Sequence, residues 1–132
     1  MIRVALLTMS VVVFGVTADA QSDADEDAVP IVPPVPTYPP MAAMLGLEGY
    51  CEVRFSVDEN GYTFSLTTSC TQPIFCYQSK KAVSLAQFEP KRIGGRALPR
   101  FNVVYPLEYR LEGEVSEINM SSFGPCDENS VS

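Results

Sequence analysis

Residues 49–70, GYCEVRFSVDENGYTFSLTTSC, constrain the fold of this chain more than any other stretch. Apolar and polar residues alternate from Cys51 to Val57, and the alternation resumes from Tyr62 to Cys70 after an Asp-Glu-Asn-Gly turn. Two runs of period two on either side of a turn that ends in Asn-Gly are typical of a β-hairpin. The pattern places one set of side chains on a shared, mostly apolar face: Cys51, Val53, Phe55, Val57, Tyr62, Phe64, Leu66, Thr68 and Cys70.

The same hairpin brings two of the four cysteines together. A loop of two to four residues pairs Cys51 with one of residues 68–70, so a Cys51–Cys70 disulfide fits the hairpin geometry. That bridge leaves Cys76 and Cys126 to tether the C-terminal tail. The alternative is a Cys70–Cys76 bridge, which closes a small loop and leaves Cys51 to pair with Cys126.

The residue types that metal sites and active sites need are scarce. Cysteines in a short exported chain form disulfides more often than they bind metal, and the spacing here contains no C-x-x-C motif. The chain has no histidine, so it offers neither a mixed zinc site nor a Ser–His or Cys–His pair. The carboxylates of Asp58 and Glu59 lie in the predicted turn, where solvation explains them. We therefore expect a non-enzymatic protein with no metal site and no cofactor.

Residues 1–20 have the features of a signal peptide. Arg3 precedes an apolar run from Val4 to Val16, and Ala18-Asp19-Ala20 matches the A-x-A form of a cleavage site. The run is about 13 residues long, shorter than the roughly 20 that a membrane-spanning helix needs. The prediction is export to the periplasm after cleavage. The alternative is an uncleaved anchor in the inner membrane, with the remainder facing the periplasm.

Charge is unevenly distributed along the chain, which carries a net charge of −7. Residues 51–111 hold eight basic and five acidic side chains. Residues 21–50 and 112–132 each hold five acidic side chains and no basic one. Acidic arms therefore flank a mildly basic segment. Its basic residues are few and are not interleaved with aromatic ones, so we expect no nucleic-acid partner.

Residues 21–37 are predicted to be a linker. QSDADEDAV is too polar and charged to pack, which favours disorder. The segment PIVPPVPTYPP that follows contains six prolines in eleven residues, which favours an extended polyproline II conformation.

Two helices follow from proline, glycine and capping signals. A short helix is predicted after Pro40 and stops at Gly46. A longer one is predicted after the hairpin, with Thr71 as its N-cap and Pro90 as its end.

Residues 101–111 are predicted to form the last strand, because period-two alternation returns there. Phe101 begins the inward-facing set, and Pro106 falls on the outward face. Since proline cannot donate to a ladder, this strand belongs at a sheet edge or at a bulge.

Together these elements predict an α+β fold: a three-stranded antiparallel sheet with two helices on one face. Residues 38–111 form the domain, and residues 112–132 form an acidic tail without periodicity, left as loop apart from its anchor at Cys126. The predicted core consists of ten apolar side chains: Val53, Phe55, Val57, Phe64, Leu66, Phe75, Val83, Phe88, Val103 and Leu107.

A series of short motifs in this domain follows a recognisable order. The motifs are YPP (38–40), AA (42–43), GLEG (46–49), VRFSVDENG (53–61), Phe75, Ala82-Val83, FEP (88–90), GGR (94–96) and VVYPLEY (103–109). In content and spacing, residues 38–111 resemble the C-terminal domain of TonB-family proteins.

The resemblance implies a periplasmic domain of an energy transducer that couples an inner-membrane motor to outer-membrane receptors. It also implies recognition by β-augmentation, in which an extended partner segment adds to an exposed strand edge. Carried over to this chain, the partner is an envelope protein or an outer-membrane receptor segment, and the open edge also permits a homodimer. The edge comprises Arg100, Phe101, Asn102, Val103, Val104, Tyr105, Glu108 and Arg110.

The chain departs from the family in two respects that bear on its role. A family transducer has an anchor helix with a functional histidine and a long proline-rich span, whereas this chain has no histidine and a short spacer. We therefore interpret it as a freestanding exported binding module. The alternative is a TonB-type energy transducer for outer-membrane transport, with residues 1–20 kept as its anchor.

Overall fold

The computed structural model describes residues 28–113 and 116–127, so the predicted signal peptide and the acidic part of the linker lie outside it. Within these ranges, no helix is long and apolar enough to cross a membrane. In chain order the elements are β1 (Pro30–Val32), α1 (Pro40–Met44), β2 (Gly49–Val57), β3 (Thr63–Cys70), a 3-10 turn (Pro73–Phe75), α2 (Cys76–Ser84), β4 (Gln87–Phe88), β5 (Lys91–Ile93), β6 (Arg96–Leu98), β7 (Arg100–Tyr109) and β8 (Gly124–Pro125).

The main sheet is antiparallel, with the strand order β7-β2-β3-β8. The predicted hairpin forms its centre, and Cys51 lies directly opposite Cys70. In the connecting turn, the Asp58 carboxylate accepts the N–H groups of Asn60 and Tyr62, each at 2.9 Å. These bonds hold the turn in place before Gly61, whose φ of +90° suits glycine.

The sheet differs from the predicted three strands, because the tail contributes β8 beside β3. The Cys76–Cys126 disulfide and a 2.8 Å hydrogen bond from the Cys126 N–H to the Thr68 carbonyl hold the tail there. Two smaller ribbons, β1-β4 and β5-β6, complete the described strands. A two-residue strand such as β8 is too short to leave a periodic signal in the sequence.

Both predicted helices are present, and the second differs from the prediction at its two ends. α1 starts at Pro40 and is followed by Gly46 in the left-handed region, with φ of +67°. α2 ends at Ser84 instead of Pro90, because the residues after it form β4. Thr71 is not its N-cap: the Thr71 Oγ1 accepts the N–H of Tyr50 at 3.1 Å and so joins the helix entry to β2.

The core lies between the helices and one face of the main sheet, called here the inner face. An aromatic cluster closes one end, where Phe75 stacks on Tyr109 at 4.5 Å and the Tyr38 ring meets both edge-on. The Tyr38 hydroxyl donates to the Leu47 carbonyl. At the other end Phe55 packs on Phe88, with ring centroids 5.0 Å apart.

Part of the predicted linker lies against the domain. β1 pairs with β4, and the Glu89 N–H donates to the Val29 carbonyl at 2.8 Å. Ala28 is buried in the core cluster. The backbone of this part of the linker is therefore paired with β4 and the residue after it. The domain boundaries remain predictions.

Because of two β-bulges, the side chains on the inner face differ from those predicted. The register of β2 with β3 shifts between Arg54 and Ser56, and that of β2 with β7 shifts between Phe55 and Val57. The extra residues are Ser65 and Asn102, both at positive φ (53° and 56°).

Each bulge reverses the facing of the residue before it, because side chains alternate between the two faces of a strand. Phe64 and Phe101, predicted to point inward, therefore lie on the outer face, and Phe64 is not part of the core.

The positive φ of Asn102 can be tested by substitution. A β-branched residue tolerates positive φ poorly, whereas asparagine and glycine accept it. We expect Asn102→Val to lower the free energy of unfolding by about 1–2 kcal/mol, and Asn102→Gly to leave it nearly unchanged. Urea denaturation followed by circular dichroism measures both. Equal losses for the two variants would contradict a conformational role for Asn102.

Candidate functional site

The predicted partner edge is β7, a ten-residue strand at the end of the main sheet. Within the described residues, no strand pairs with its other side. All the predicted edge residues from Arg100 to Glu108 lie in β7, and Arg110 follows it directly. They do not share one surface, since Val103 is buried in the core and the Tyr105 ring contacts Phe88 at 5.8 Å.

Pro106 fixes which backbone groups of β7 are open to a partner. It pairs with Glu52 of β2, and a proline costs no ladder bond only where its nitrogen faces away from the neighbouring strand. Both backbone polar groups of a residue in an antiparallel strand point to the same side, and the side alternates along the strand. We therefore expect Val104 and Glu108 to direct their N–H groups to the open edge.

An aromatic patch, defined here as Phe64, Phe101 and Val104, covers one end of the outer face. The two rings meet edge-on with centroids 6.3 Å apart. Ser56 lies between them on β2 and is only 8% exposed, while Phe101 itself is 64% exposed. The rings thus cover the strand beneath them and present their own surface to solvent.

An acidic groove lies at the other end of the same face. It is a cleft of about 490 Å³ between the sheet and the tail, lined by Tyr50, Glu52, Glu108, Arg110, Glu117, Ile118 and Met120. The Tyr50 hydroxyl donates to the Glu52 carboxylate at 2.8 Å. Burial, this hydrogen bond, and the charges of Glu52 and Glu108 raise the pKa of Tyr50 to about 12. Tyr50 therefore stays neutral, and the acidic side chains that line the groove are Glu52, Glu108 and Glu117.

Among the residues that the structure describes, one cation lines the groove, and it already has partners. The Arg110 guanidinium contacts the Glu108 carboxylate at 3.2 Å and donates to the Ser116 carbonyl at 2.6 Å. The nearby Glu48 carboxylate accepts the Ser116 hydroxyl at 2.6 Å and the Leu111 N–H at 2.7 Å, and these bonds lower its pKa. Arg110 and Glu48 thus hold the start of the tail against the sheet.

The sequence did not reveal this groove. One wall consists of residues 117–120, which have no periodicity and reach the sheet only through the fold. The tail is held there at its far end by the Phe123 ring, 5.8 Å from that of Tyr50, and by the Cys76–Cys126 bridge. The acidic residues of the groove do not form a cluster in the sequence either, because Glu52, Glu108 and Glu117 are far apart in the chain.

Both predicted disulfides, Cys51–Cys70 and Cys76–Cys126, are present in the structure. They are neighbours: the sulfur atoms of Cys70, Cys76 and Cys126 lie within 4.8 Å of one another. A disulfide sulfur carries no thiolate to offer a metal ion, so this cluster joins two bridges and is not a ligand set.

Comparison with known proteins identifies the family. Residues 34–111 match the family described as the Gram-negative bacterial TonB protein C-terminal. The solution NMR structure of the Pseudomonas aeruginosa TonB C-terminal domain superposes with a TM-score of 0.53 and 25% identity, covering 68% of this chain and 92% of that one. The structure from a molecular characterization of the Vibrio anguillarum TonB2 protein gives 0.49 and 21%, covering 81% and 98%.

No protein with a curated description matches the chain at a significant level. The family match nevertheless spans more than half of the sequence, and the observed α+β architecture with two helices agrees with it. The predicted resemblance is confirmed: this chain belongs to the family of Gram-negative bacterial TonB protein C-terminal domains.

Proposed function

We propose that this chain is a non-catalytic, exported binding domain of the cell envelope. Its partner is an extended segment of an envelope protein, such as an outer-membrane receptor, which adds to β7 as a further strand. The observation that carries the proposal is the position of β7, a ten-residue strand with one side open at the end of the main sheet.

The two edges of the main sheet differ in a way that supports this choice. β8 pairs with Ser69 and Cys70 at the end of β3, so that edge is partly occupied by the tail. β7 pairs along one side with almost the whole length of β2, and its other side remains as a long template for a partner. Pro106 and the charged side chains limit unselective pairing along this edge, as in other edge strands.

The inner and outer faces of β7 have different roles in the proposed binding. Leu107 and Tyr109 anchor the strand in the core, so a partner that adds to the edge meets a fixed backbone. Phe101, Val104 and Glu108 remain exposed on the outer face, where they can discriminate between partner side chains. A rigid edge lowers the entropic cost of ordering an extended segment.

A backbone-specific variant tests the proposal. The full chain is used to select binders from a phage-displayed library of random nonapeptides. Val104→Pro removes an N–H from the open edge, and we expect it to weaken the selected peptides roughly tenfold, because a lost hydrogen bond and the clash of the ring add up. Val104→Ala is the matched control, since it shortens the same side chain and keeps the N–H.

Hydrogen exchange of the complex gives an independent measure of the binding mode. Bound peptide is expected to slow exchange at the Val104 and Glu108 amides. Failure to select any binder, or equal binding to the Val104→Pro and Val104→Ala variants, would overturn strand addition at β7.

A further inference from the structure

The outer face beside β7 differs in chemistry between its two ends, and this difference bears on what kind of segment it binds. The aromatic patch lies at the end where β7 begins, and the acidic groove lies at the end where β7 finishes. Val104 belongs to the first and Glu108 to the second, and both lie on the same outer face of the edge strand.

The aromatic patch is held out by a strained backbone. Ser65 and Asn102 both adopt positive φ, and they do so in the two strands that flank Ser56. Without the bulges, Phe64 and Phe101 would return to the inner face by the alternation of the strands. Two bulges that bring two large apolar rings together at the surface indicate an apolar contact surface.

The acidic groove complements a long basic side chain. Its walls combine apolar surface from Tyr50, Ile118 and Met120 with the carboxylates of Glu52, Glu108 and Glu117. An aliphatic stem can lie along the first group while its charged end reaches the second. Arg110 already contacts Glu108 and the Ser116 carbonyl, so the lining residues keep an excess of negative charge.

We infer that the segment bound at β7 presents an apolar side chain beside Val104 and a lysine or arginine side chain beside Glu108. In an added strand these two side chains are four residues apart on one face, a distance of roughly 13 Å. The inference rests on the proposed function, since it specifies the chemistry of the segment that adds to β7.

A second copy of this chain fits the surface poorly in the pairing centred on Pro106. If two β7 strands were related by a two-fold axis there, Val104 of each copy would lie beside Glu108 of the other, and the apolar end would face the acidic end in both halves of the interface. We therefore choose a different protein as the partner, one whose binding segment carries the apolar and basic side chains in separate positions.

The peptides selected on the full chain test the inference directly. We expect lysine or arginine to be enriched about tenfold at the position four residues away from an aromatic or aliphatic residue. A tenfold enrichment corresponds to about 1.4 kcal/mol of binding free energy. Selection on a Glu108→Gln, Glu117→Gln double variant should lose the basic enrichment and keep the apolar one. Selection on Phe101→Ser should do the reverse.

Glu59→Gln is the matched control, because Glu59 is an exposed carboxylate in the β2–β3 turn, outside the groove. It should retain both enrichments. If hydrogen exchange shows that the selected peptides bind at β7, but the peptides show no basic enrichment, the inference is wrong and strand addition stands. If no peptide protects the β7 amides, strand addition itself fails.

Discussion

Replacing both Cys51 and Cys70 by alanine is expected to lower the free energy of unfolding by about 3 kcal/mol. The bridge closes a loop with a sequence separation of 19 residues in the centre of the main sheet. Without it the unfolded chain gains conformational freedom that the paired strands of the folded hairpin cannot match. For a domain of this size the loss corresponds to a fall in melting temperature of roughly 10–20 °C.

The Cys76→Ala, Cys126→Ala variant is the informative comparison. Loop length alone predicts a larger loss, because this bridge has a sequence separation of 50 residues. The structure predicts a smaller one. The other contacts of the tail, such as β8 beside β3 and the 2.6 Å hydrogen bond from the Ser122 hydroxyl to the Thr71 carbonyl, lie at the edge of the sheet, so the tail can detach while the core stays folded.

Thermal denaturation under oxidising conditions, followed by circular dichroism, separates the two expectations. The wild type and both double variants are measured at one protein concentration, and mass spectrometry verifies the bridge that remains. A tail-bridge variant that melts at or below the temperature of the Cys51→Ala, Cys70→Ala variant would contradict the structural argument and favour loop entropy alone.

Local sequence signals account for most of the fold. The hairpin and α1 each depend on residues a few positions apart. Alternation, proline at a helix start and glycine at positive φ therefore specify them without reference to the rest of the chain. The disulfide pairing follows from the same local geometry once the hairpin register is known.

The errors have a common physical cause, which is competition from residues distant in sequence. The pattern up to Pro90 suits a helix, but pairing of Phe88 with Pro30 ends α2 early. Phe64 and Phe101 fit an apolar alternation, yet a bulge in each strand turns them outward. Periodicity assumes an unbroken register, so it cannot report a bulge.

The candidate site, too, could be predicted only where it depends on local sequence signals. Pro106 restricted the last strand to a sheet edge or a bulge, and the edge was one of these two predicted positions. The acidic groove could not be predicted, because its second wall is brought to the sheet by the tail. Sequence reasoning thus located the edge on which the proposed function depends, and the structure supplied the surface beside it.

Phe75→Ala is expected to lower the free energy of unfolding by about 3–5 kcal/mol, a large part of the stability of a small domain. The Phe75 side chain is fully buried, and its ring contacts those of Tyr109 and Tyr38 at 4.5 and 6.0 Å. Since these rings come from β7 and from the segment before α1, the cavity would loosen three parts of the fold at once. The chain has no tryptophan, so urea denaturation is best followed by circular dichroism.

Phe101→Ala is the matched control, because it makes the same chemical change at a largely exposed ring and should alter stability by no more than about 0.5 kcal/mol. A second variant distinguishes loss of packing from a general loss of folding. A Cβ atom at Gly49 would lie 2.4 Å from the Phe75 ring, so Gly49→Ala alone should be destabilising. In the Phe75→Ala background that contact is absent, and the added methyl group should cost less. Additive effects of the two substitutions would show that the ring does not occupy the space above Gly49 in solution.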